Sequence, residues 1–238
     1  MIAIFGSNSR LAKELIKALV ENFEILGISR SGKGFKHKNL KKIKSTSLES
    51  LEKILEKNKD KISVWINCAA IRNNALLIEE TQENMQQAFD VNFYPNFLAT
   101  KILIPRMIYK RDGQFIFFDS VKASHGDVGC SAYTISKETL KGLQRSVVKE
   151  FSRFKIRCNT IGLLYFESPM WLSLSEDKRK KLLTRRNLIK RAGALGGGLL
   201  LTGCDTQFYK PPVVRDGLMG VADIMTMASQ RMLMSNEQ

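Results

Sequence analysis

The sequence predicts an α/β protein built on a doubly wound parallel sheet. Short apolar runs of strand length alternate with longer segments whose apolar residues recur at helical spacing. Small and polar residues collect where the apolar runs end. In open parallel sheets ligands bind beyond the carboxyl ends of the strands, so the second observation also places a candidate site. At 238 residues and 44% hydrophobic composition, the chain is long enough for one such domain, alone or with a tail.

Ile2-Ala3-Ile4-Phe5, stopped at once by Gly6, reads as a buried strand entering a turn, and is too short for the apolar part of a secretory leader. Leu11 to Glu21 follows with helical spacing (Leu11, Leu15, Ile16, Leu19, Val20). The expected elements continue as a strand over Phe23 to Ser29, a helix over Ser47 to Lys57 and a strand over Ile62 to Cys68. Thr81 to Lys110 reads as helix with a bend near Pro95, Gln114 to Ser120 as strand, Ser131 to Arg153 as helix and Ile156 to Gly162 as strand.

The net charge of +15 raises the question of an acidic partner. The basic residues fall in two blocks. Lys33 to Lys44 reads as a solvated loop and helix start, and Lys178 to Arg191 abuts a glycine-rich apolar stretch. Neither block is interleaved with aromatics as a base-stacking surface is, which argues against a nucleic-acid partner. Cys68, Cys130, Cys158 and Cys204 show neither paired metal spacing nor disulfide density. No metal is expected, and the first three read as buried residues in a reducing compartment, the cytoplasm.

The strand ends carry the chemistry. Gly6-Ser7-Asn8-Ser9-Arg10-Leu11-Ala12 reads equally as a pyrophosphate cradle at a helix N-terminus and as an ordinary strand-to-helix turn with a serine cap. After the second strand stands Arg30, where a carboxylate would take a ribose 2′-hydroxyl and an arginine suits a 2′-phosphate; this favours NADP(H) over NAD(H). Asn67-Cys68-Ala69-Ala70 offers small side chains that let the backbone approach a ligand. Asn92 lies within a helical stretch that disfavours asparagine, so it is either exposed or held by a tertiary contact. Tyr133 and Lys137 share a helix face at i, i+4, and Ser120 ends the preceding strand. A buried ammonium near a phenol favours the phenolate, so the pair suits moving a proton onto or off an oxygen. His125, in a polar loop with Ser124, Gly126 and Asp127, reads as a surface histidine.

In this order the motifs resemble the short-chain dehydrogenase/reductase family, from about Ile2 to about Met170. Phe5 to Ala12 is similar to its Thr-Gly-x-x-x-Gly-x-Gly turn and Asn67 to Ala70 to its Asn-Asn-Ala-Gly element. Asn92, Ser120, Tyr133 and Lys137 fall on its helix asparagine, its serine and its Tyr-x-x-x-Lys, and Ile156 to Met170 resembles its Ile-Arg-Val-Asn-x-Ile and Pro-Gly-x-x-x-Thr-Pro-Met. The resemblance implies a Rossmann-like fold. It also implies NADP(H)-dependent interconversion of a small-molecule carbonyl and alcohol, with Tyr133 as acid/base, Lys137 tuning it and holding the nicotinamide ribose, Ser120 binding the substrate oxygen and Asn92 positioning a water. The cofactor set it implies is Gly6, Ser7, Ser9, Arg10, Leu11, Arg30, Asn67, Ala69, Tyr133, Lys137 and Ser168.

Arg10 and Ala12 replace two glycines of the turn, and Leu163-Leu164 replace Pro-Gly. Arg10 would either crowd a pyrophosphate or swing out and pair with it. Beyond Met170 the family's last strand is not found. Thr184-Arg185-Arg186-Asn187-Leu188-Ile189-Lys190 resembles a twin-arginine export signature, and Leu201-Thr202-Gly203-Cys204 a lipoprotein processing site. The residues after Cys204 loosely resemble the start of exported bacterial molybdenum-cofactor enzymes.

The expected organisation is a truncated dehydrogenase/reductase domain over 1–175, a basic export-signal-like segment over 176–204 and a partly helical tail over 205–238. A homo-oligomer would be weakened by the missing elements, and a membrane would be a partner only if the export-like segment works. Two rival functions stand beside the reductase. One is a cofactor-binding or regulatory protein that has lost turnover, and the other is a fusion or misjoined product with an exported lipoprotein precursor.

Overall fold

A computed structural model describes residues 1–120, 123, 126–163, 176 and 180. Within the compact unit Met1–Leu164, six strands form a parallel sheet in the order β3-β2-β1-β4-β5-β6. They are β1 (Ile2–Phe5), β2 (Ile25–Ser29), β3 (Leu40–Lys44), β4 (Val64–Asn67), β5 (Gly113–Ser120) and β6 (Ile156–Leu163). Ile2 pairs with Ile25 on one side and Val64 on the other, so strand order reverses about β1. That reversal opens a crevice at the carboxyl ends of β1 and β4. β2 and β4 are buried along their whole length, and β5 up to Ser120, as strands covered on both faces are. This is the doubly wound arrangement the sequence predicts.

The helices are α1 (Arg10–Leu19), α2 (Leu48–Asn58), α3 (Gln82–Asn92), α4 (Tyr94–Lys110) and α5 (Ser131–Phe151). Side-chain caps fix where the first three begin. Ser9 accepts from the Ala12 N–H, Ser47 and Ser50 form a reciprocal capping box, and Thr81 accepts from the Asn84 N–H. One core cluster joins Leu51 and Leu55 of α2, Leu103 and Met107 of α4, and Leu140 and Val147 of α5 to Trp65, Phe115 and Phe117 of the sheet.

The structure corrects the reading of the first basic block. Lys33 to Lys44 is not a loop and helix start: its last five residues are β3, an edge strand paired in parallel with β2. Leu40 and Ile43 pack inward while Lys41 and Lys44 face solvent. Two apolar residues three apart among lysines lack the period of two that signals a strand, and lysines are a usual way to blunt a sheet edge. The helix expected over 81–110 is two helices that break at Phe93. Pro95 sits in the first turn of α4, where its missing N–H leaves no bond unmade.

A buried polar chain crosses this core. The Trp65 indole N–H donates to Asn96 Oδ1 (3.0 Å), and Asn96 Nδ2 donates to the Asn92 carbonyl (3.1 Å). Asn96→Ala would leave both partners buried and unpaired. Urea unfolding should show a loss of about 1–3 kcal/mol; an unchanged midpoint would mean the chain contributes nothing.

Candidate active site

The turn after β1 is held by Gly6, whose φ of 73° suits glycine. A Cβ there would lie 2.5 Å from the Ala69 nitrogen, so the loop leaving β1 packs directly on the loop leaving β4. Asn67 Oδ1 accepts from the Ala69 N–H (2.8 Å), which shapes that second loop. Ser7 is fully buried, and its hydroxyl has no hydrogen-bond partner among the described residues. Ser9 caps α1, whose first turn holds no acidic residue, and Leu11 and Ala12 are buried beneath it. Arg10, the first residue of α1, is exposed.

At the carboxyl end of β2, Arg30 is exposed. Beside it stands a lysine that sequence reasoning left among solvated charges. Lys42 of β3 is half-buried and donates to Asn8 Oδ1 (3.1 Å), and Asn8 Nδ2 donates to Ser31 Oγ (2.7 Å). Burial, with the nearby charge of Lys13, lowers the Lys42 pKa. The turn after β1 is thereby tied to the basic end of β2 and β3.

The second group of residues gathers where β4, β5 and α5 meet. The Ser120 hydroxyl stands beside the Tyr133 phenol. Burial pushes the Tyr133 phenol above its usual pKa; the Ser120 hydrogen bond and the Arg72 guanidinium oppose that shift, and the Asp119 carboxylate adds to it. Lys137, one turn along α5, is buried and donates to the Phe118 carbonyl (2.7 Å). Its burial lowers the ammonium pKa to about 8 against the opposing charge of Asp119. Asp119 is itself buried 3.5 Å from the Lys141 ammonium, and burial raises its pKa.

Asn92 is fully buried. Its Oδ1 accepts from the Ile71 N–H (2.9 Å), and its Nδ2 donates to the Ile71 carbonyl (3.1 Å) and to Ser136 Oγ (2.9 Å). Ser136 in turn donates to the Tyr133 carbonyl (2.9 Å). This is the tertiary contact that a helix asparagine needs.

The fold thus brings Ser120, Tyr133, Lys137 and Asn92 together, and Gly6, Ser7, Ser9, Arg10, Leu11, Asn67 and Ala69 into the crevice loops. Ser168, His125, Leu164, the twin-arginine-like run 184–190 and Cys204 lie outside the described residues. Among the described residues no helix is long and apolar enough to cross a membrane. Sequence reasoning missed Lys42, Asp119 and Arg72. Asp119 could have been suspected as a carboxylate closing an otherwise apolar strand.

A sequence profile described as short chain dehydrogenase matches residues 4–179. The chain is 31% identical to the 3-oxoacyl-(acyl-carrier-protein) reductase of Thermotoga maritima over 58% of its own length, a match that spans 55% of that relative. It is 27% identical to carbonyl reductase family member 4 of Xenopus tropicalis, covering 76% of this chain and 81% of the relative. Among solved structures, a short-chain dehydrogenase from Streptomyces avermitilis superposes with a TM-score of 0.66 at 16% identity, covering 79% of this chain and 77% of that one. At that identity the likeness speaks for the fold alone.

Lys137 makes stability depend on pH in a set direction. Its folded pKa of about 8 lies below the ordinary 10.5, so between those values the unfolded chain binds a proton that the folded chain does not. The burial penalty is fully present below pH 8 and is relieved as pH rises toward 10.5. In urea unfolding, wild-type stability should therefore rise relative to Lys137→Met across that window. A constant difference would place the ammonium in an ordinary environment.

Proposed function

Since the chain belongs to the short-chain dehydrogenase family, we propose that it is an NADP(H)-dependent oxidoreductase that interconverts a carbonyl and an alcohol, with Tyr133 as the acid/base. The observation that carries this reading is the meeting of Ser120, at the carboxyl end of β5, with Tyr133 on α5, with buried Lys137 one turn away and bonded to the Phe118 carbonyl. The relatives' names put 3-oxoacyl thioesters and other ketones among the substrates to be tried.

A nicotinamide dinucleotide suits the crevice. The unsatisfied Ser7 hydroxyl and the acid-free N-terminus of α1 fit a pyrophosphate, and the Gly6 turn brings both next to the loop after β4. Arg30 and Lys42 stand where a 2′-phosphate would extend, which supports NADP(H) over NAD(H). When bound, the cofactor supplies or accepts the hydride.

The chain's own residues handle the oxygen and its proton. Ser120 donates to the carbonyl oxygen and stabilises the charge that develops on it. Tyr133 gives that oxygen its phenolic proton, and takes it back in the oxidative direction. Its raised pKa keeps the phenol protonated at neutral pH, the state a reductase requires of its acid. Lys137 holds a cation beneath the site that could bond the cofactor's ribose hydroxyls, and Asn92 keeps the head of α5 in place.

Tyr133→Phe removes the proton donor and leaves the crevice intact. It should lower NADPH-dependent reduction of a carbonyl panel by on the order of 10²–10⁴-fold, while NADPH still raises the melting temperature. Full activity in this variant would overturn the assignment.

A further inference from the structure

One lysine ties together three segments at the mouth of the crevice. Lys42 of β3 pairs in register with Gly27 of β2. Its Nζ donates to Asn8 Oδ1 in the turn after β1 (3.1 Å), and Asn8 Nδ2 donates to Ser31 Oγ in the loop after β2 (2.7 Å). The same serine oxygen accepts from the Lys33 N–H (3.2 Å). Gly34 closes on this group. A Cβ there would lie 2.9 Å from Lys42 Nζ and 3.2 Å from Asn8 Oδ1, at a φ of 134° that suits glycine. The Lys42 ammonium is thus fixed in place, and an ammonium has three donors of which Asn8 takes one.

The surroundings of this ammonium suit an anion. No Asp or Glu occurs between Glu24 and Glu49, nor from Gly6 to Lys13. A carboxylate after β2, which would take a ribose 2′-hydroxyl and repel a phosphate, is therefore missing from both segments. Gly27, the register partner of Lys42, leaves room beside Ser7: a Cβ there would lie 3.2 Å from Ser7 Oγ, the buried hydroxyl without a partner among the described residues. Burial and the charge of Lys13 both disfavour the Lys42 ammonium, and a neighbouring phosphate would relieve both. Arg30 is exposed. Its charge is screened by water and its side chain must be ordered on binding, whereas Lys42 is already held.

We propose that Lys42, rather than Arg30, is the residue by which this chain selects a 2′-phosphorylated dinucleotide, its ammonium binding the 2′-phosphate. The inference rests on reading the crevice as a nicotinamide dinucleotide site. It moves the cofactor preference from the loop after β2 to the neighbouring strand.

The test measures binding to the full chain by calorimetry, with NADPH and NADH as probes and no carbonyl present. Wild type should bind NADPH more tightly than NADH. Lys42→Gln keeps an N–H donor for Asn8 and removes the charge; it should weaken NADPH binding by on the order of 10–100-fold and leave NADH binding within about threefold. Lys42→Arg should retain most of the preference, and Arg30→Gln should weaken NADPH binding far less than Lys42→Gln. If Lys42→Gln does not fold, Lys42→Met carries the same expectation. Equal losses for both dinucleotides, an unmoved NADPH affinity, or a larger loss in Arg30→Gln overturns the proposal, as does a wild type without the preference. A wild type that selects NADPH through Lys42 yet reduces no carbonyl would reject the reaction and keep the assignment of Lys42.

Discussion

The Asn92 side chain is the constraint on which the site depends. One amide satisfies both backbone groups of Ile71 and reaches Ser136, so it joins the loop after β4 to the helix that carries Tyr133. Its own carbonyl is bonded by Asn96, which also takes the Trp65 indole N–H from the centre of the sheet. Buried polar groups like these stabilise little when fully paired and cost much when one is lost, so the network specifies a single arrangement of strand, loop and helix. The break at Phe93 between α3 and α4 comes directly after Asn92 in the chain.

Burial, more than any single charge, sets the electrostatics. It raises the proton affinity of the Tyr133 phenol and the Asp119 carboxylate, and lowers that of the Lys137 ammonium. All three shifts favour the neutral form, as expected of groups withdrawn from water.

Much of this was legible in the sequence. The strand-helix alternation and the i, i+4 pair Tyr133 and Lys137 depend on periodicity, which one sequence shows directly. Ser120 was legible because it ends an apolar run. β3 was not, since Leu40 and Ile43 are too few and wrongly spaced to outweigh the lysines around them. Lys42 was invisible for a different reason: it is bonded to Asn8, a residue distant in sequence. That contact arises from topology, because the parallel pairing of β3 with β2 brings Lys42 to the turn after β1.

The claim that this cluster performs hydride chemistry is most directly tested by isotope. The full chain would be incubated with 3-oxo esters and ketones and with NADPH carrying deuterium at both C4 positions of the dihydronicotinamide, and the alcohols analysed by mass spectrometry. The account predicts an alcohol carrying a single deuterium on the carbinol carbon. An alcohol without deuterium, or no alcohol from any carbonyl while NADPH binds, would contradict it.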